Sequence, residues 1–273
     1  MITGRAGWQD GTASTDRGAT GHSHGVGVCA RTRIDLGQVK KAEKSNEITA
    51  IPELLDALLL RGCLVTIDAM GCQKAIAAKI IEQGSDYALM VKNNQPGLAA
   101  AIEATFEAAA RVDYAEVPHS RAEWHEKDHG RIETRRCTVI EDLSGLGARR
   151  QDWPGVKTLL MVESRREVNG AATTDRRYYL CSRQADAATL GSIVRGHWGI
   201  ENALHWSLDV VFGEDQARMR MGNAAENFSI LRRLALNLFR QDRSVKAGVK
   251  TRRLLAATDD AYRQKLLGLH AIA

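Results

Sequence analysis

The first regular pattern of hydrophobic and polar residues appears near residue 50, where apolar side chains recur at the three- and four-residue spacing of an amphipathic helix. This pattern runs from Ile51 to Leu60, with Pro52 near its start and Gly62 after its end. A continuous apolar run, Cys63 to Ile67, follows and is typical of a strand buried on both faces of a parallel sheet. The sequence therefore predicts a helix followed by a buried strand.

The next segments repeat this alternation. Residues Gln73 to Gln83 have helical spacing and are followed by Gly84, and Tyr87 to Val91 form a second apolar run. A strand, a helix and a strand in this order predict a right-handed crossover between two parallel strands. Asp68 then lies directly after the first strand, at its carboxyl end.

Further along the chain, the pattern changes twice. Leu98 to Ala110 are Ala-rich and predict a helix, whereas the following region has partial alternation and is rich in Thr, Val, Arg and Tyr, which is typical of antiparallel strands. Three such strands are expected, at Gly130 to Ile140, Lys157 to Val168 and Thr173 to Cys181. Helical spacing returns at Ala187 to Leu208 and at Ala224 to Arg240.

The first thirty residues show neither the spacing of a helix nor the alternation of a strand. Arg31 to Lys40 resemble an edge strand that leads into a linker. After this segment the patterns give, in order, an α/β region, a strand-rich region, a helical region and a short basic helical tail.

Composition narrows the class of protein. Hydrophobic residues make up 44% of the chain and charged residues 26%, and no apolar run has the length of a membrane helix. The N-terminus lacks the apolar core of a secretory signal, so we expect a cytoplasmic protein with no membrane partner. Five widely spaced cysteines without a CxxC pair predict reduced thiols.

The charge is concentrated near the C-terminus. The chain has a net charge of +5, and from Asp215 to the end twelve Lys or Arg residues face five Asp or Glu residues, a local net charge of +7. A basic region of this kind fits nucleic acid, because neutralised phosphates release counterions and provide affinity for any sequence. A solvated basic surface is an equally good interpretation of charge alone.

Asp68 is the strongest candidate for chemistry. Ligands of open α/β sheets bind outside the carboxyl ends of the strands, where a carboxylate is presented from a rigid backbone. Asp68 could instead cap the helix that begins near Gln73. The next strand ends in the polar run Lys92 to Pro96, which is expected at the same edge of the sheet; Lys92 and Asn94 there suit a phosphate or a base, although the run is also typical of an exposed turn.

Two groups of histidines, each with nearby carboxylates, are candidates for a metal-binding site. His197, Glu201 and His205 recur every fourth residue and would share one face of a helix. Zinc is possible there, but Glu201 brought to a sheet edge that already presents Asp68 suits Mg²⁺ better, because Mg²⁺ prefers carboxylate oxygens. A polar run with several acidic and histidine side chains is predicted to be a solvated loop; its members are His119, His125, Glu126, Asp128 and His129.

Several segments together carry a resemblance to a known family. They are KSNEITAIPELL (44–55), TIDAMGCQ (66–73), DYALMVKNNQ (86–95), HGRIETR (129–135), HWGIENALHWSLDVVFGED (197–215) and RRLALNLFR (232–240). In this order and from about Leu36 onward, the chain resembles the DDE transposases of the ISAs-type insertion sequences, whose relatives include the H-repeat-associated proteins.

The resemblance implies a ribonuclease H-like mixed sheet flanked by helices, interrupted by a β-rich insertion, in which three carboxylates hold two Mg²⁺ ions, or Mn²⁺ as a substitute. The implied segments are 1–35, a degenerate or truncated N-terminal segment; 36–110, the first part of the ribonuclease H-like core; 111–186, the β-rich insertion; 187–243, the C-terminal helical part of the catalytic core; and 244–273, a basic helical tail. Asp68 matches the second carboxylate and Glu201 the third. The implied reaction is cleavage and strand transfer of DNA at insertion-sequence ends. The implied partners are terminal inverted repeats, target DNA and further copies of the chain.

The family's core begins with a strand that ends in Asp-Gly-Lys, and here Asp10-Gly11-Thr12 provides the matching carboxylate. The surrounding residues depart from the family pattern and resemble a truncated or frame-shifted start. The alternative to an active enzyme is therefore an inactive remnant that still binds DNA. Phosphate contacts are expected from Lys92, Asn94, Arg131, Arg195, Arg218, Arg220, Arg232 and Arg233.

Overall fold

The computed structural model describes residues 4–8, 24–29, 34–40, 47–128, 131–168, 171–200, 204, 206–219 and 221–269. Of these, the backbone alone is described for the residues up to 50 and for 128, 131 and 198–200. Nine strands form one mixed sheet in the order β3-β2-β1-β4-β5-β9-β8-β7-β6. The strands are β1 (Gly4–Trp8), β2 (His24–Cys29), β3 (Ile34–Lys40), β4 (Leu64–Ile67), β5 (Asp86–Val91), β6 (His119–Asp128), β7 (Arg131–Ile140), β8 (Thr158–Val168) and β9 (Ala171–Cys181).

Seven α-helices accompany the sheet: α1 (Glu47–Ala57), α2 (Lys74–Glu82), α3 (Pro96–Arg111), α4 (Ala187–Ile200), α5 (Ala224–Gln241), α6 (Val249–Thr258) and α7 (Asp260–Leu266). A 3₁₀ segment spans Ser144–Asp152, and a π-helical turn spans Ser207–Val211. None of the helices in the described part of the chain has the length and apolar character needed to cross a bilayer.

The half of the sheet formed by β1 to β5 has the ribonuclease H-like arrangement. Strand β2 is antiparallel to both β1 and β3, whereas β1, β4 and β5 are mutually parallel. The crossover from β4 to β5 runs through α2, as the alternation of apolar runs and helical spacing predicts. The expected fold class is therefore confirmed.

The β-rich region continues this sheet. Strand β9 pairs antiparallel with β5 from Ala88↔Cys181 to Val91↔Tyr178, and β8, β7 and β6 follow as an antiparallel meander. Since the backbone hydrogen bonds pass without a break from β4 to β6, the strands after α3 extend the sheet that carries Asp68.

The sheet separates two hydrophobic cores, and β4 contributes to both. Val65 and Ile67 pack in the larger core with side chains from α1, α2 and α3. Leu64 faces the opposite way and packs with Leu190 and Val194 of α4. This division follows from the strand pleat, which sends alternate side chains to opposite faces. The four cysteines with described side chains are buried thiols outside any disulfide, as expected; they are Cys63, Cys72, Cys137 and Cys181.

Three predictions from the pattern were wrong. The first thirty residues, for which no strand was predicted, contain β1 and β2; β2 places Val26 and Val28 at alternate positions, but the intervening glycines weaken the strand pattern. The polar run from His119 to Asp128, predicted to be a loop, is strand β6; positions 119–127 alternate strictly between exposed and partly buried, but Trp124 is the large apolar side chain among the inward ones. Pro52 lies inside α1, beyond the first turn.

The helix predicted from Ala187 to Leu208 is observed as α4, which ends at Ile200, and a separate π-helical turn that begins at Ser207. Residues 201–203 and 205 lie outside the described residues. The predicted edge strand is confirmed, because β3 is the terminal strand of the sheet.

Candidate active site

Asp68 directly follows β4 and lies at the carboxyl end of this strand, partly exposed. Because alternate residues of a strand share a face, Leu64, Thr66 and Asp68 are directed to the same side of the sheet. Leu64 packs on α4, so this is the α4 side. The backbone thus brings a carboxylate to the edge of the interface between β4 and α4.

A small cleft opens beside Asp68, between the sheet and α4. Strands β5 and β9 contribute to it next to β4, since Thr66 pairs with Ala88, and Met90 pairs with Tyr179. The residues that line the cleft are Thr66, Ile67, Asp68, Met90, Tyr179, Val194 and His197. The cleft therefore combines an apolar floor with a carboxylate, a hydroxyl and an imidazole.

One hydrogen bond crosses the cleft from the sheet to the helix. It joins Thr66 Oγ1 and His197 Nδ1 at 3.0 Å, although the two residues are 131 positions apart in the chain. Thr66 is 3% exposed, so its hydroxyl would lose a hydrogen bond to water without compensation if this contact were absent. His197, considered as a metal ligand from the sequence, here contacts the strand that leads to Asp68.

The polar run after β5 holds the loop that follows Asp68. Asn94 Nδ2 donates a hydrogen bond to the carbonyl oxygen of Ala69, and Gln95 Nε2 donates one to that of Cys72 at 3.1 Å. As expected, the two strand ends meet at one edge of the sheet. Asn94 therefore restrains the backbone next to Asp68, a role that the sequence did not indicate.

The other two expected carboxylates, Asp10 and Glu201, lie outside the described residues. Within the described part of the chain, no three His, Cys, Asp or Glu side chains are grouped closely enough to hold a metal ion. Asp68, the expected ligand that the structure describes, is partly exposed at the sheet edge. Its carboxylate oxygens are the type of ligand that a hard cation such as Mg²⁺ prefers.

The expected phosphate contacts occupy different environments. Lys92 and Arg218 are exposed, and Arg195 forms an ion pair with Glu126 of β6. Arg232 is 14% exposed and lies 3.8 Å from Glu214. The side chain of Arg131 and all of Arg220 lie outside the described residues.

Arg233 is 4% exposed and donates a hydrogen bond to Ser229 within α5. A phosphate cannot reach a guanidinium group at this depth without a movement of the helix, so the interpretation of Arg233 as a surface contact is corrected.

A second group of carboxylates, which has no role predicted from the sequence, lies within the π-helical turn and just after it. Burial raises the pKa of Asp209 to about 6, together with the negative charges of Asp215 and Glu214 and a hydrogen bond with Asp215. On the α5 side, Ser229 Oγ donates a hydrogen bond to Glu214 Oε1 at 2.9 Å, and Arg232 lies near the same oxygen. Asp209 is thus held among like charges.

We expect Asp209→Asn to stabilise the protein above pH 6. The folded state keeps a proton on Asp209 that the unfolded state releases near pH 4, so the free energy of unfolding falls between about pH 4 and about pH 6. Asparagine removes this penalty, and we expect a gain of about 1 kcal/mol at pH 8 after allowance for solvent screening. Urea unfolding at pH 8 and pH 4 measures the difference.

The exposed Glu116 provides the control, since Glu116→Gln removes one carboxylate without removing a buried one. An equal gain at pH 4 and pH 8 for Asp209→Asn, or the same gain for Glu116→Gln, would contradict the raised pKa.

Comparison with known proteins places these features in a family. The model of the family described as "Transposase DDE domain" matches residues 3–238. "Putative transposase YncI" of Escherichia coli O157:H7 is 43% identical over 237 residues, which cover 86% of this chain and 60% of the relative. "H repeat-associated putative transposase YhhI" of Escherichia coli K12 is 41% identical over 239 residues, which cover 85% and 62%, respectively.

The chain thus spans about three fifths of the length of these relatives. Among solved structures, the match to a piggyBac transposase synaptic complex with hairpin DNA covers 99% of this chain and 55% of the transposase chain in that structure. The TM-score is 0.47 and the sequence identity is 11%. This likeness is too remote to support an argument about function.

Proposed function

We propose that this chain, which belongs to the transposase DDE domain family, cleaves DNA at the ends of an insertion sequence and transfers the strand to target DNA in a reaction that depends on divalent metal ions. Asp68 supplies one of three carboxylates, and Glu201 and Asp10 supply the others. This reaction is proposed for a chain that spans about three fifths of the length of the relatives it matches.

The placement of Asp68 carries this proposal. It lies at the carboxyl end of a central parallel strand, beside a cleft that α4 borders. Glu201 directly follows the last described residue of that helix in the sequence. Clustered carboxylates require ligands on rigid elements, and β4 and α4 are two such elements that border one cleft.

Two Mg²⁺ ions, or Mn²⁺ in their place, would supply stabilisation of the attacking and leaving oxygens when bound. The chain's own part is to hold the ligands in position. Asp68, Glu201 and Asp10 would hold these ions through their carboxylate oxygens. The restraint of the Ala69 carbonyl by Asn94 limits movement of the backbone next to Asp68.

DNA, as terminal inverted repeats and as target, is the proposed partner, and we propose that several copies of the chain assemble on it in the bacterial cytoplasm. Lys92 lies at the same sheet edge as Asp68, and its exposed ammonium group is the best placed of the proposed phosphate contacts. Arg218, which is also exposed, is a second proposed phosphate contact.

Calorimetric titration with Mg²⁺ and Mn²⁺ tests the carboxylate set. We expect the wild-type chain to bind these ions and expect Asp68→Asn, Glu201→Gln and Asp10→Asn each to weaken binding at least about tenfold, because each removes a charged ligand. Glu116→Gln is the control for a general change in charge and should leave the affinity unchanged.

Two results would count against parts of the proposal. Ion binding that does not respond to Asp10→Asn would remove Asp10 from the ligand set and favour the inactive remnant that retains DNA binding. Ion binding that does not respond to Asp68→Asn would overturn the assignment of the site.

A further inference from the structure

We infer that Thr66 is a positioning residue, whose hydrogen bond to His197 holds the C-terminal half of α4 in place against the strand that presents Asp68. The functional consequence rests on the proposed metal-dependent reaction, whereas the structural effect of Thr66 on α4 can be measured without metal. Neither residue is proposed to touch an ion or DNA.

The interface between β4 and α4 changes character along its length. On the helix, Leu190, Val194 and His197 are spaced by four and three residues and therefore share one face. On the strand, Leu64 and Thr66 share the opposing face. Leu64, Leu190 and Val194 belong to one apolar cluster, whereas Thr66 and His197 form a polar contact at the end nearest Asp68.

The apolar part of this interface is closely packed, since a Cβ on Gly191 of α4 would lie 2.5 Å from the side chain of Trp124. Such packing resists displacement of the helix but does not fix the direction of any polar group. A hydrogen bond requires a particular distance and angle. The 3.0 Å contact between Thr66 Oγ1 and His197 Nδ1 is therefore a directional contact that holds α4 against β4 at this end, whereas the ion pair of Arg195 with Glu126 holds the helix against β6.

This position matters because Asp68 comes two residues after Thr66, and Glu201 comes four residues after His197. The hydrogen bond lies between the two segments that lead to the proposed ligands. Metal sites tolerate displacements of only about 0.5 Å before affinity falls. Loss of one contact that orients such a site typically costs about ten- to a hundredfold in metal affinity.

The test compares Thr66→Val, which keeps the branched shape and removes the hydroxyl group, with Thr66→Ser, which keeps the hydroxyl group. Thr158→Val is the matched control, because Thr158 is also a fully buried strand threonine, whose hydroxyl donates to the Arg183 carbonyl at 3.2 Å. Hydrogen exchange of the α4 amides is measured on the metal-free chain, and Mn²⁺ affinity is measured by calorimetry.

We expect Thr66→Val to speed exchange of the α4 amides from Val194 onward about five- to tenfold, as the loss of one net hydrogen bond predicts, and to weaken Mn²⁺ binding at least about tenfold. Thr66→Ser should restore both values. Thr158→Val should lower global stability without a selective effect on α4.

Unchanged α4 exchange in Thr66→Val would overturn the inference, whatever the metal affinity. If α4 exchange changes as expected and Mn²⁺ affinity does not, although Asp68→Asn abolishes binding, the consequence for the site is overturned and the proposed function stands. A wild-type chain that binds no Mn²⁺ would count against the proposed function, and the exchange measurement would still decide the role of Thr66 on α4.

Discussion

Asp68→Asn is expected to lower metal-dependent DNA nicking by a factor of about 10² or more, since the carboxylate that it removes is a proposed ligand of the metal ions and metal stabilisation of the transition state amounts to several kcal/mol. Asparagine has nearly the same shape, and Asp68 is partly exposed at the sheet edge, so the fold should be retained. The measurement is the nicking rate of insertion-sequence end DNA with Mg²⁺ or Mn²⁺, together with DNA affinity at two salt concentrations.

DNA affinity separates the loss of chemistry from the loss of binding. The variant should keep the salt-dependent affinity of the wild type, because that affinity arises from Lys and Arg contacts to phosphates. Lys92→Ala is the complementary variant and should weaken DNA affinity and its dependence on salt while the metal affinity is unchanged. Nicking by Asp68→Asn at the wild-type rate would exclude Asp68 from catalysis, and a wild-type chain that binds DNA without nicking it would favour the inactive remnant.

Leu89→Ala is expected to lower the free energy of unfolding by about 3 kcal/mol, within the range found for large-to-small changes in cores. Leu89 is fully buried at the centre of β5, where it pairs with Ile67 of β4 and with Leu180 of β9. The cavity would lie between the strand that carries Asp68 and the strands of the β-rich region. Urea unfolding followed by circular dichroism measures the change.

Leu59→Ala is the matched control, because Leu59 is fully exposed and the same substitution there removes no packing. We expect its effect to remain within about 0.5 kcal/mol. A loss below about 1 kcal/mol for Leu89→Ala would contradict the description of β5 as a central strand between two tightly packed neighbours.

The predictions that the sequence supports best are those in which local pattern and tertiary burial agree. The run Cys63 to Ile67 is apolar at nearly every position, and β4 is buried along its whole length because both faces of the sheet are covered. The resemblance to insertion-sequence transposases, carried by segments such as TIDAMGCQ, is likewise confirmed by the family match over residues 3–238.

The predictions fail where neighbouring strands supply what the local sequence lacks. Strand β6 pairs with β7 along its entire length, from His119↔Ile140 to Asp128↔Arg131. Its exposed side chains form ion pairs across strands, such as Glu123 with Arg136, so that polar residues stabilise a strand that has few apolar ones. A pattern of hydrophobic positions has no access to these partners.

The sequence by itself determined the alternation of buried strands and helices, the position of Asp68 at the end of a strand and the membership of a transposase family. These depend on residues that are close in the chain or on motifs in a given order. The tertiary structure alone decided that Thr66 meets His197 across 131 positions, that Asn94 restrains the loop after Asp68 and that Arg233 is buried. Such contacts depend on tertiary packing, because the partner of each polar group lies on an element that is distant in the sequence.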